Sequence, residues 1–397
     1  MIPADRQYVS FLLLWHGLWH RRRGLDGLRR TVAQLQGAEL PASDLESPTL
    51  AARLSDYSAA QLDGLIATGE VVWQGRRPAG EHDGVLSLFL RRDFPLLGRI
   101  STFVPGARES RIRSLLVEGE LDFEQLRDRL GGFPDEISRS LWNLVWNGEA
   151  TGNSLDALRA RRSSNAARHH RRPRPRYATR GRILPGAAGR WSLLSGPCSG
   201  FAPEAERGLA LARQLLDRYG IVCRGSLTAE MTGFNDLLPL FERLEAVGGV
   251  QRTQLLQSGG PVQFAAPGAG ELWRRAERHA AGGMLSACDP ANPFGMVVPW
   301  PEMRGDPRPQ RTPGARVLIQ DGALVAYLTR QGRRIYTPAD IVDPALSIFL
   351  LKRSAGENPL FLESVNGQAP YATPWHGDLV AAGFSPSSRG YLLKPAP

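Results

Sequence analysis

Lysine is almost missing from this chain. Lys352 and Lys394 are the only two among 397 residues, so arginine carries the positive charge. Neither lysine lies in a G-x-x-x-x-G-K-[ST] phosphate loop, which excludes a P-loop ATPase from the sequence as given. Cysteine is scarce as well: Cys198, Cys223 and Cys288 are odd in number, scattered, and without a C-x-x-C pair. Structural disulfides and a zinc site are therefore not expected, and a cytoplasmic compartment fits. Cys198 has no neighbouring histidine in sequence, so it does not read as a catalytic thiol. His16 and His20 stand four apart but lack a third ligand, and read as packing or surface residues. No metal and no cofactor is expected. No apolar run reaches the roughly 18 residues that cross a bilayer, so no membrane partner is expected. Phe11–Trp15 is apolar but is flanked by Arg6 and Arg21–Arg23 without a small-residue cleavage site, which argues against a signal peptide.

What is present is an ordinary globular composition, 42% hydrophobic and 22% charged, with length for two to four domains. The formal charge is +10, from 49 basic and 39 acidic residues. A GC-rich genome would explain the preference for arginine, but not where the charge sits. Arg159, Arg161, Arg162, Arg168, Arg171, Arg172, Arg174, Arg176, Arg180 and Arg182 fall in one window with His169 and His170 and no acidic residue. These ten equal the whole excess. Like charges without counter-charges repel one another and favour a polyanion partner: DNA, or RNA on the same electrostatic grounds. The composition cannot build a core, so the segment reads as a mobile phosphate clamp. The opposing reading is a solvated insertion that touches nothing.

One ten-residue pattern occurs three times, at Leu62–Val71, Leu141–Ala150 and Phe241–Val250. In each, a large apolar residue is followed by Leu three positions on, Gly seven on and Val or Ala nine on. That spacing describes the end of an amphipathic helix, a glycine stop, and a turn into a strand. Paired β segments follow each copy, which is the plan of a winged helix. The expected fold is mostly α with small β hairpins (α+β): tandem winged-helix modules, then a β-barrel-like C-terminal module of several short strands. Expected boundaries are 1–104 (N-terminal helices and winged helix), 105–194 (winged helix with the insertion at 159–182), 195–283 (winged helix) and 284–397 (Pro-rich connector and barrel-like module). Individual expectations include helices over Ala4–Trp19, Gly24–Gln36, Thr49–Tyr57, Phe123–Leu130, Ser226–Met231 and Ala339–Arg353. A single strand is expected at Leu360–Val365 and a last one at Gly390–Leu393.

Several phrases resemble the C-terminal region of the large helicase-related (Lhr) family of bacterial DNA-repair helicases. They are Gln-Leu-Gln-Gly at 34–37, Gly-Glu-Val-Val-Trp at 69–73, Gly-Gly-Phe-Pro-Asp-Glu at 131–136, Leu-Asp-Arg-Tyr-Gly at 216–220, Gln-Phe-Ala-x-Pro-Gly at 263–268 and Asp-Pro-Ala-Asn-Pro-Phe-Gly at 289–295. The resemblance implies a winged-helix array, homo-oligomerisation, DNA repair, and a helicase motor as partner in the full-length protein. The chain is also similar to tandem-winged-helix DNA glycosylases that excise alkylated bases through a Gln-apolar-Gln or Gln-apolar-Asp triplet, the first form of which Gln34-Leu35-Gln36 fits, and some Lhr proteins are associated with uracil removal. On this resemblance Gln34 and Gln36 are the candidate catalytic residues.

Glutamine can hold a water and donate to a leaving base, but it is not a strong general base. Uracil, a poor leaving group, calls for a carboxylate nearby; Glu39, Asp44, Glu46 and Asp378 are candidates that spacing does not rank. If the triplet is helical its two side chains diverge, whereas an extended conformation aims them the same way. The opposing reading is two surface glutamines at a helix end. The three repeat helices expose few groove-reading groups: Gln61 and Asp63; Arg139 and Asn143; Asn235, Asp236, Glu242 and Arg243. Acidic residues on two of them argue against sequence-specific reading. Trp15, Trp19, Trp142 and Trp146 read as core, and Asp289–Gly295 as a structural connector. The sequence thus reads as a DNA-binding, self-associating Lhr region without its motor, with a glycosylase and a protein-binding scaffold as alternatives.

Overall fold

The computed structural model describes residues 4–168, 186–194, 200–228, 230, 232–278, 282–305, 307–330, 333–340, 347, 348, 351 and 360–394, and of residues 164–168 the backbone alone.

The three repeated endings form alike. Helices Ala59–Ala67, Pro134–Trp146 and Phe234–Ala246 run into Gly69, Gly148 and Gly248. These glycines sit at φ 76°, 76° and 74°, where a Cβ would crowd the following carbonyl. Their amides turn back to carbonyls of the last turn: Gly69 to Ile66 at 3.0 Å, Gly148 to Val145 at 2.9 Å, Gly248 to Glu245 at 2.9 Å. Acceptors that a helix end leaves unpaired are thereby satisfied. The helix starts are written locally too. Ser58 and Gln61 form a reciprocal cap ahead of Ala59–Ala67, and Asp122 and Gln125 form another ahead of Phe123–Leu130.

Past each stop the chain makes an antiparallel hairpin. Val71–Pro78 pairs with Gly84–Leu90, Ala150–Gly152 with Arg190–Leu193, and Gln251–Thr253 with Gln263–Ala265. Each returning strand also takes up a two-residue strand from upstream: Leu40–Pro41, Leu121–Asp122 and Ile221–Val222. The result is three three-stranded sheets with one strand order. An early short strand, a stopped helix and a two-stranded wing make a winged helix, and the fold is α+β.

Two compact units are formed. One comprises Arg23–Glu46 and Asp56–Gln214, and holds the first two sheets. Here the first wing lies against the second helix ending: Trp73 Nε1 donates to the Gly152 carbonyl at 2.9 Å, and Thr151 Oγ1 donates to the Trp73 carbonyl at 2.7 Å. The backbones meet because Gly75 has no side chain; a Cβ there would stand 2.2 Å from the Val145 carbonyl oxygen. Trp142 is 2% exposed and meets Trp191 edge to face at 5.4 Å. Truncating such a residue to alanine costs about 3–5 kcal/mol. Trp146 is buried as well, so both are core residues as expected.

The other unit comprises Met1–Arg22, Ser47–Ser55 and Leu215–Pro397. Helix Ala4–Trp15 packs its Phe11 on Trp273 of helix Ala269–Ala276, and Gln7 Nε2 donates to the Trp273 carbonyl at 2.9 Å. A five-stranded sheet follows, ordered Gly282–Ser286, Arg316–Gln320, Ala323–Leu328, Arg334–Tyr336 and Ser364–Val365, its last pair parallel. Its inner strands are buried on both faces. Val317 and Ile319 join one core with Phe11 and Leu12, while Leu318 joins a second with Leu362, Leu379 and Tyr391. Alternation along a strand requires that split.

Several expectations are corrected. Leu360–Val365 is two strands: Leu360–Leu362 pairs with Gly390–Leu393 in a separate three-stranded sheet, and Ser364–Val365 joins the five-stranded one. Strand pairings among the described residues give these two sheets and no closed ring. The expected Thr49–Tyr57 helix stops at Arg53, since Leu54 is extended (φ −125°, ψ 127°) and bridges to Arg22, while the Arg53 side chain turns into the core. There its guanidinium grips Asp289 with Nη1–Oδ2 at 2.8 Å and Nη2–Oδ1 at 2.7 Å, while Nη2 lies 3.0 Å from His16 Nδ1; all three residues are 0% exposed. Asp289–Gly295 is indeed structural, since Asn292 Nδ2 also donates to the Ala287 carbonyl at 2.9 Å. The Ser226–Met231 helix is a single turn, Gly225–Leu227, with Met231 outside the described residues; the Ala339–Arg353 helix lies mostly outside them.

Candidate nucleic-acid interface

The Gln34-Leu35-Gln36 triplet straddles a helix end. Gln34 is the penultimate residue of helix Gly24–Leu35, and Gln36, at φ −49° and ψ 130°, has left it. Gln36 is 4% exposed. Its Oε1 accepts from the Leu90 amide at 2.8 Å, and its Nε2 donates to Asp93 Oδ2 at 3.0 Å and to Gln214 Oε1 at 3.4 Å. Gln214 Nε2 in turn donates to the carbonyls of Ala33 and Gln34 at 3.0 and 3.1 Å, capping the helix from outside. The triplet thus joins a helix end, the end of the first wing and a carboxylate.

That carboxylate is Asp93, which no spacing argument selects. Of the sequence candidates, Glu39 pairs with Arg77, Glu46 with Arg159, and Asp44 is fully buried. Asp378 lies on helix Trp375–Ala381 of the other unit.

A cavity of about 520 Å³ adjoins the triplet through Leu90. Helix Gly24–Leu35 contributes Arg29, Arg30 and Ala33 to its wall, and the end of the first wing contributes Leu90, Arg91 and Arg92. Glu70, from the first repeat, completes it. Arg29 takes Glu70 with two hydrogen bonds, Nε to Oε2 at 2.7 Å and Nη2 to Oε1 at 3.1 Å, and also holds Asp26 at 2.9 Å. Those bonds from Arg29 hold the Glu70 carboxyl below the usual carboxylate range. Four guanidinium groups and one carboxylate line the space.

The arginine-rich window divides. Its first part is helix Asp156–Arg168, not a structureless wing, although it does lie between the strands of the second hairpin. Arg159 places all five N–H groups on carboxylates: Nε and Nη2 on Glu46, both at 2.9 Å, Nη1 and Nη2 on Asp63 at 2.6 and 3.2 Å, and Nη1 on Asp156 at 2.8 Å. Arg162 donates to the Ala42 carbonyl at 3.0 Å. Arg161 donates to that of Glu81 at 2.7 Å and lies 5.0 Å above the Trp142 ring. Arg168 closes the helix. Arg171, Arg172, Arg174, Arg176, Arg180 and Arg182 lie outside the described residues.

The repeat helices are engaged unequally. Asp63 on the first is held by Arg159, and Gln61 serves the Ser58 cap. Arg139 and Asn143 on the second are exposed, as are Asn235, Asp236, Glu242 and Arg243 on the third, although Asn143 donates to Glu109, Asn235 accepts from Arg224, Asp236 accepts from the Gly233 amide and Glu242 pairs with Arg252. His16 is the buried neighbour of Arg53 rather than a surface residue, and among the described residues no group of three His, Cys, Asp or Glu is placed to hold a metal ion. No helix among them is long and apolar enough to cross a membrane.

Two family models described as "Large helicase-related protein, winged-helix domain" match residues 4–91 and 202–284. An "Lhr helicase/uracil glycosylase" of Escherichia coli is 35% identical over 409 residues, covering 92% of this chain and 26% of that protein. An "Lhr helicase/ probable uracil glycosylase" of Mycolicibacterium smegmatis is 33% identical over 432 residues, covering 98% of this chain and 28% of that protein. The chain therefore spans about a quarter of the length of these curated relatives. It belongs to the large helicase-related family, as a form of that family's C-terminal region.

Proposed function

We propose that this chain is the DNA-binding, self-associating accessory region of an Lhr-type DNA-repair helicase, working in the cytoplasm beside an ATP-driven motor. The observation that carries the reading is the threefold recurrence of one winged-helix wiring, strand order included, next to a surplus of arginine. In this reading the four sequence segments are successive modules, the last curled like a barrel. The arginines beyond Arg168 supply sequence-independent phosphate contacts, and few side chains read bases. Arg159, held by Glu46, Asp63 and Asp156, anchors helix Asp156–Arg168, while Arg161 and Arg162 can add phosphate contacts beside it.

A second reading, excision of a damaged base, is favoured by one observation: Gln36 donates to the carboxylate of Asp93. Base excision passes through a cationic sugar that an anion stabilises, with a positioned water as nucleophile. Gln36 would then be a positioning residue, Asp93 the anion, and Gln34 a further contact. The names of both relatives include uracil glycosylase. One experiment separates the readings. The purified chain is incubated with oligonucleotides containing uracil or an alkylated base, and abasic sites are then cleaved with alkali. Retention of DNA without strand breaks supports the accessory role. Breaks that vanish in Gln34→Ala/Gln36→Ala and in Asp93→Asn establish excision. Neither retention nor breaks would leave a protein-binding scaffold, and light scattering reads the self-association.

A further inference from the structure

The geometry points to the cavity between helix Gly24–Leu35 and the end of the first wing as a binding site for one nucleotide unit of single-stranded DNA. Its phosphodiester would lie against Arg30 and Arg91. The inference rests on the DNA-binding reading and deepens it by naming a site.

Three observations carry it. First, a space of about 520 Å³ falls within the range of small-ligand pockets, about 300–1,000 Å³, so one nucleotide can occupy it. Second, its cations differ in engagement. Arg29 is neutralised by Glu70 and Asp26, and Arg92 lies 3.6 Å from Asp93. Among the described residues Arg30 and Arg91 form no ion pair, and both are exposed at the cavity wall. Two uncompensated guanidinium groups on facing elements present paired donors that match phosphate oxygens. Third, Ala33 and Leu90 supply apolar wall between them, a surface for a sugar or base rather than for a free inorganic ion. Backbone bonds fix the wing side of the cavity: Arg91 donates its amide to the Glu70 carbonyl at 2.9 Å, and the Leu90 amide donates to Gln36 at the helix end.

The test measures anisotropy of a fluorescein-labelled 20-nucleotide oligothymidylate against salt concentration, for the full chain and for Arg30→Ala/Arg91→Ala. For single strands each phosphate contact contributes about −0.7 to the slope of log K on log salt, so the double variant should flatten that slope by about 1.4. Glu70→Gln/Asp26→Asn removes both carboxylates from Arg29 and should steepen it by up to about 0.7, an effect that a merely structural role would not produce. Thymidine monophosphate as competitor separates the sources. Competition at millimolar concentration assigns the site to a single nucleotide, and competition only by oligonucleotide assigns it to the strand. Retained binding with an unchanged slope in the double variant overturns this inference alone. Failure of the unaltered chain to bind the oligonucleotide overturns it together with the DNA-binding reading.

Discussion

The side-chain amide of Gln74, on the first wing, donates at 3.0 Å to the carbonyl of Gly148, the glycine that stops the second repeat helix. The same nitrogen donates to the Arg99 carbonyl at 2.8 Å, and its oxygen accepts from the Arg99 amide at 2.9 Å. Gln74 is 1% exposed, so one buried side chain joins a wing, a helix stop and the linker after the first module. Gln74→Leu keeps the volume but leaves three backbone groups unpaired. Each buried group left so costs about 1–3 kcal/mol, and urea unfolding should show a loss of at least about 2 kcal/mol. A loss under about 0.5 kcal/mol would mean that the two modules are not joined here.

The three glycine stops should not respond equally to alanine. Gly69 and Gly248 have nothing within 4 Å of an added Cβ, so substitution meets only the left-handed backbone, a cost of about 1–2 kcal/mol. At Gly148 an added Cβ would also stand 2.9 Å from Gln74 Nε2 and 3.2 Å from the Gly75 carbonyl oxygen. Gly148→Ala should therefore lower stability by clearly more than the other two. Equal losses in all three unfolding curves would contradict the observed packing.

The buried Arg53, Asp289 and His16 give one unit a pH dependence. Burial, and next the charge of Arg53, push the His16 imidazole well below its ordinary value, so it stays neutral when folded. Burial pushes the Asp289 carboxyl up, but the charge and hydrogen bonds of Arg53 reverse this and hold it below the carboxylate range. Both folded pKa values are depressed, so the unfolded chain binds more protons and stability falls as pH falls. The His16 contribution begins to be lost below about pH 6.5, at up to about 1.4 kcal/mol per pH unit, and that of Asp289 only below about pH 4. His16→Gln should flatten the fall between about pH 6.5 and 5, as read by thermal unfolding. Asp289→Asn strands Arg53 and should cost about 3–5 kcal/mol at pH 7. A His16→Gln curve parallel to that of the unaltered chain would refute the assignment.

Much of the architecture is legible in the sequence because it is local. Glycine stops, helix caps and the strands of the first and third hairpins are written close together in sequence; Phe123–Leu130 and Gly390–Leu393 fall at the residues expected. What is not legible depends on distant partners. Asp93 meets Gln36 across 57 positions, and Arg53 meets Asp289 across 236. The charge run misleads for the same reason. Counting from Arg159 onward finds no acid, yet Glu46 and Asp63, 113 and 96 positions earlier, fold onto Arg159 and occupy its donors. Leu360–Val365 reads as one strand because no glycine or proline turn residue interrupts it; only the pairing of each half, on either side of Glu363, reveals two sheets.

The most direct measurement is the salt dependence of duplex DNA binding by the full chain and by a variant with Arg171, Arg172, Arg174, Arg176, Arg180 and Arg182 replaced by serine. If the arginines beyond the Asp156–Arg168 helix hold phosphates, log K falls steeply with log salt. The variant's slope is then shallower by up to about 5, near 0.9 for each phosphate that is no longer neutralised. Binding that ignores salt, or a variant whose slope matches that of the unaltered chain, would contradict the reading of this chain as a DNA-binding array.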